Sequence, residues 1–128
     1  MATTLSTTAR NAACDAVVDL VDGGAGAGKI RIKSAGAVVI AEVTLADPAF
    51  GAAAAGVATM AGAPKSGAGV AAAGTGTAAA TFDVCDSNNT VIWSGAVGTG
   101  SGELQLNNVN IADGQVVTVT SFTHTQPA

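Results

Sequence analysis

One histidine, His124, two cysteines, Cys14 and Cys85, and nine carboxylates are the side chains with which this 128-residue chain could do acid–base or metal chemistry. A Ser/His/Asp relay is assembled in space, so a single histidine does not exclude one. No G-x-S-x-G elbow presents a serine, however, and His124 reads as a sheet-face or interface residue. Two cysteines and one histidine fall short of a four-ligand zinc site. In a reducing compartment both cysteines read as small buried apolar residues. A disulfide between them requires their Cα atoms to come within ~7 Å. Asp83 and Asp86 are three apart, which on a strand means opposite faces, so they do not form an acid/base pair. Asp86-Ser87-Asn88-Asn89 offers oxygen ligands but lacks the length and closing glutamate of a calcium loop, and reads as a turn. These residues assign no catalytic group, no cofactor and no metal.

Gly23-Gly24-Ala25-Gly26-Ala27-Gly28-Lys29 has the spacing of a phosphate-binding loop. Ile30 stands where Ser or Thr would hold magnesium. The order of elements is also reversed, because a phosphate cradle needs its N–H groups at the start of a following helix. The segment therefore reads as a helix-to-strand linker.

Lys29, Arg31 and Lys33 are three of the five basic residues and alternate, so they share one strand face. The plain reading is a solvated face; the sharper one is a contact strip for an acidic partner. Charged residues make up only 11% and the net charge is −4, which leaves no basic footprint for nucleic acid. The hydrophobic fraction of 48% is largely alanine, and aromatic residues are 3%: Phe50, Phe82, Trp93 and Phe122. Such a core buries little area per residue and depends on close packing, backbone pairing or a partner. A weakly charged surface suits a subunit of an assembly better than a free solute. Trp93 is either a core ring or a ring for sugar stacking or subunit docking.

The elements that position these residues form one domain, 1–128. Residues 3–22 are expected to be a helix, capped by Ser6, Thr7 or Thr8 and stapled by Leu5. Ala9, Ala13, Ala16 or Val17, and Leu20 form its apolar stripe, widened by Cys14 and Val21. From residue 28 the period changes to two. Strands are expected over 29–33, 38–45, 57–60, 78–86, 90–97, 103–107 and 115–125, punctuated by Gly, Asn and Asp turns. Residues 49–76 are read as an Ala/Gly-rich arm or loop containing that short third strand. The fold class is mainly β: an antiparallel β-sandwich or barrel-like domain over 28–126 with one N-terminal α-helix. Met1 to Thr4 carry no secretion signal, and no apolar run spans a membrane, so the expected site of synthesis is a cytoplasm.

Leu5-Ser6-Thr7-Thr8-Ala9-Arg10-Asn11, Leu45-Ala46-Asp47-Pro48-Ala49-Phe50-Gly51, Gly102 through Asn108, Ile111-Ala112-Asp113-Gly114-Gln115 and Val117 through Gln126 resemble small structural proteins of tailed bacteriophages and prophages. The resemblance implies a virion component without catalytic residues, foremost a capsid decoration or cement protein. A tail or head–tail connector component, or a glycan-binding module displayed on the virion, are the alternatives. It implies the major capsid protein or other virion proteins as partners, a homo-oligomer (trimer or dimer), and no nucleic acid or membrane. Leu5, Lys29, Arg31, Lys33, Phe50, Pro64, Lys65, Trp93 and His124 are the candidate interface residues.

Overall fold

The computed structural model describes residues 6–62, 65–70, 73–98, 104–106, 110–119 and 122–125. Helix α1 (Thr7–Asp19) continues into a 3-10 turn at Leu20–Asp22. The strands are β1 (Lys29–Ser34), β2 (Val39–Thr44), β3 (Val57–Thr59), β4 (Lys65–Gly69), β5 (Thr77–Cys85), β6 (Val91–Gly98), β7 (Leu104–Gln105), β8 (Asn110–Ile111), β9 (Val116–Val119) and β10 (Thr123–Thr125). The main sheet runs β7-β6-β5-β1-β2-β4-β9, with β8 paired to the start of β5. Leu106, next to β7, bridges Val119 in β9, so the two ends of the sheet meet in a barrel-like ring. Neighbours are antiparallel except β6 and β7, which run parallel. A separate ribbon pairs β10 with β3.

Two-residue alternation sets the inside of the ring. Ile30 and Ile32 of β1, Val43 of β2, Phe82 and Val84 of β5, and Val117 and Val119 of β9 are fully enclosed. Burying a side chain of this size stabilises by roughly 1.5–3 kcal/mol. A bulge between β1 and β2 pairs Ile32 with Ala41 but Lys33 with Val39, which lets the consecutive residues Ile40 and Ala41 both be buried.

Three expectations need correction. Residues 49–76 are not an arm or loop throughout, because β4 lies inside the main sheet between β2 and β9. Its glycines mark close backbone approach, not freedom. A Cβ on Gly67 would run into the Glu42 carbonyl, and one on Gly69 into the Ala112 carbonyl. Next, the helix buries Cys14, Val18 and Val21, while Leu20 is 57% exposed. The predicted stripe of alanines was misplaced because alanine fits either face. Last, the run 115–125 is two strands: Val117 and Val119 face inward, yet so does Phe122, and this change of parity separates β9 from β10.

Ser6 caps α1, its hydroxyl accepting from Ala9 N at 3.1 Å. Leu5 and Pro64 lie outside the described residues.

Candidate functional site

The alternation of Lys29, Arg31 and Lys33 puts all three on the outside of β1, because Ile30 and Ile32 point in. Cross-strand register then builds one continuous outward row. Ser94 lies opposite Asp83, Asp83 opposite Arg31, Arg31 opposite Glu42, Glu42 opposite Ala68, and Ala68 opposite Val116. Five inter-strand steps give the row a span of roughly 24 Å.

Its charged half neutralises itself. Arg31 Nε lies 3.0 Å from Glu42 Oε2. Lys33 Nζ lies 2.8 Å from Asp83 Oδ2, and the Ser94 hydroxyl donates to Asp83 Oδ1 at 2.6 Å. Burial opposes ionisation of Asp83, which is only 8% exposed. Hydrogen bonds from Lys33 and Ser94 and the nearby charges of Lys33 and Arg31 outweigh that burial and hold its carboxyl below the usual range. Lys29 sits between Thr44 and Cys85 and makes no ion pair among the described residues. The other half of the row is uncharged. Ala68 is exposed and Val116 is 62% exposed; Ser66 and Thr118 beside them share a 3.2 Å hydroxyl contact.

Phe50, Trp93 and His124, far apart in sequence, form one cluster with Phe82 and Phe122. The Trp93 ring is 4.6 Å from His124, 5.7 Å from Phe50, and stacked on Phe122 at 6.1 Å, centroid to centroid. Phe82 meets Phe122 edge-on at 5.3 Å. Register places Trp93 opposite the buried Val84, on the inner face of the sheet. Trp93 is partly buried and packs against the core through these rings. Lys65 starts β4 opposite Val119.

Sequence reading assigned no role to Asn11 and Asp15, which fall off the apolar stripe, or to Asp22 at the helix end. They clamp the segment that follows β2. Gly56 N donates to Asn11 Oδ1 at 2.8 Å, Ala53 N to Asp15 Oδ1 at 2.8 Å, and Ala49 N to Asp22 Oδ1 at 2.9 Å. Three backbone donors without regular sheet partners are satisfied in this way. Burial raises the Asp22 carboxyl pKa; the Ala49 hydrogen bond opposes this, and the charges of Asp47 and Asp19 add to it. Spacing at positions 11, 15 and 22 was the available signal, since it places all three along one side of the helix.

No family model matches this chain, and neither the curated proteins nor the solved structures contain a match.

The glycine-rich segment 23–28 links α1 to β1. Its Gly26 N donates to the Ser87 hydroxyl at 3.3 Å, and a Cβ on Gly24 would collide with the same hydroxyl. The adjoining turn is held by Asp86, whose Oδ1 accepts from Asn88 N at 2.9 Å and Thr90 N at 3.0 Å. Both cysteines are buried thiols. Among the described residues, no three His, Cys, Asp or Glu side chains converge as metal ligands, and no helix is long and apolar enough to cross a membrane.

Proposed function

We propose that this chain is a structural subunit of a tailed-phage particle: a capsid decoration or cement protein that binds the assembled shell and stabilises it. The observation that carries the reading is the outward row from Ser94 to Val116. Its charges cancel in pairs at one end and give way to an uncharged end at Ala68 and Val116. Such a surface packs against another protein with little desolvation of charge. Four of the five segments that carry the phage resemblance supply core side chains: Leu45, Ala49, Phe50, Leu104, Leu106, Ile111, Val117, Val119 and Phe122. The likeness is thus one of scaffold, consistent with a protein that works by binding and not by turnover.

Binding to many equivalent sites on the assembled shell stabilises that state by mass action, and an oligomeric subunit adds avidity. The major capsid protein is the partner this role requires, and the virion is where the protein acts. A tail or head–tail connector subunit would use the same surface but occupy a single ring. Counting copies in purified particles separates the two. The decoration reading expects occupancy that tracks the shell lattice, and particles lacking the protein that lose their contents at a lower temperature. Occupancy confined to a ring, or unchanged heat resistance without the protein, overturns it.

A further inference from the structure

We propose that Lys29 is the specificity contact of the outward face, where it receives a carboxylate of the shell protein set among uncharged side chains. The inference rests on the decoration reading above and names the group that the partner supplies.

The outside of β1 carries three of the chain's five basic residues, and two of them are already matched. Arg31 is held by Glu42 at 3.0 Å and Lys33 by Asp83 at 2.8 Å. Lys29 is left over, half-buried and without an ion pair among the described residues. Its cross-strand neighbours are Thr44 and Cys85. Neither supplies a counter-charge: Thr44 is neutral, and burial holds the Cys85 thiol above its ordinary pKa.

Charge is unevenly divided over the molecule. On the outward face, Lys29, Arg31 and Lys33 against Glu42 and Asp83 leave a balance of +1. Elsewhere two basic residues, Arg10 and Lys65, stand against seven carboxylates, a balance of −5, which together give the net −4. An acidic surface is therefore drawn to this face and repelled by the others.

The surroundings of Lys29 narrow the partner further. Two residues along the strands from the row of Arg31, a second outward row holds Lys29 beside Thr44, and Ser66 beside Thr118. Ala68 and Val116 adjoin its hydroxyls. The face thus offers one unmatched cation among uncharged groups. A single carboxylate in an uncharged patch fits it. A polyanion does not, because binding to phosphates draws on several free cations.

The test follows association of the full chain with emptied heads that lack it, for the natural sequence, K29Q, K29R and K65Q. K29Q and K65Q each remove one positive charge, the first on the outward face. The second is off it, because Lys65 is out of phase with Ser66 and Ala68 on β4. Thermal melts check that the variants are folded. At low ionic strength K29Q is expected to associate several-fold more slowly and to bind more weakly. K65Q is expected to stay close to the natural sequence, and K29R to retain most of the binding. At about 1 M salt, where charges are screened beyond about 3 Å, the difference in association rate should close. K29Q binding as the natural protein does, or K29Q and K65Q losing equally, overturns the contact and leaves the decoration reading standing. A salt dependence steep enough for several released counterions marks a polyanionic partner and also overturns it. Natural protein that does not bind the heads at all removes the decoration reading, and the contact with it.

Discussion

Lys33 and Asp83 project from the outside of neighbouring strands, Nζ and Oδ2 2.8 Å apart, and both are largely withdrawn from water. Asp83 ionises more readily in the fold than in the unfolded chain. A carboxyl whose folded pKa is depressed contributes stability that is complete above its unfolded value and is lost as pH falls through the folded value. The expected loss therefore lies below about pH 4. Urea midpoints between pH 7 and pH 2.5 should fall for the natural sequence. In D83N they should start lower, by about 2 kcal/mol because Lys33 loses its partner, and vary less with acid. A parallel pH dependence in the two proteins contradicts this assignment.

Asp22 carries the opposite sign. Its pKa is raised by burial and by the neighbouring Asp47 and Asp19. Such a group works against the fold when ionised, and the fold gains as pH drops toward the unfolded value. An amide oxygen in D22N can still accept from Ala49 N without the charge. The expected result at pH 7 is no loss, or a gain of up to about 1 kcal/mol. A clear destabilisation would show that the carboxylate charge itself holds Ala49.

The other two clamp residues have no such compensation. N11A or D15A leaves a backbone N–H at Gly56 or Ala53 without its acceptor, which typically costs about 1–3 kcal/mol. Hydrogen exchange at residues 53–56 should accelerate in either variant while β1 and β5 keep their protection. Unchanged exchange there would mean that the clamp does not order the segment.

Ala55 and Gly56 form a two-residue hairpin turn, both with positive φ (52° and 78°), closed by paired hydrogen bonds between Ala54 and Val57. Alanine is disfavoured in this conformation. A55G should raise stability by about 0.5–1 kcal/mol after allowing for the added freedom of the unfolded chain. Thermal melts of the two proteins decide it, and a lower midpoint for A55G contradicts the turn geometry.

What the chain disclosed in advance depended on side-chain size. Isoleucine, leucine and valine in alternation located β1, the inward pair Leu104 and Leu106 and the inward Val117 and Val119, but they did not mark the break between β9 and β10, and β8 went unread. Alanine and glycine were ambiguous. Ala9 and Ala13 suggested a helix face that the fold leaves largely open, and Gly67 and Gly69 suggested a loop where a strand passes close to other backbone. The basic alternation was visible, but its partners Glu42, Asp83 and Ser94 come from three other strands, and only register brings them together. The aromatic cluster was hidden for the same reason: Phe50, Trp93 and His124 are joined by chain topology and by no local spacing.

Replacing Val116 by lysine puts a charge at the uncharged end of the outward row and leaves the core untouched. The occupancy of V116K on purified phage heads, against the natural sequence at equal expression, measures whether that row is the docking face. The account predicts a variant that melts within about 2 °C of the natural protein, as surface substitutions do, and yet is missing from the particles. Heads carrying V116K at full occupancy would contradict it.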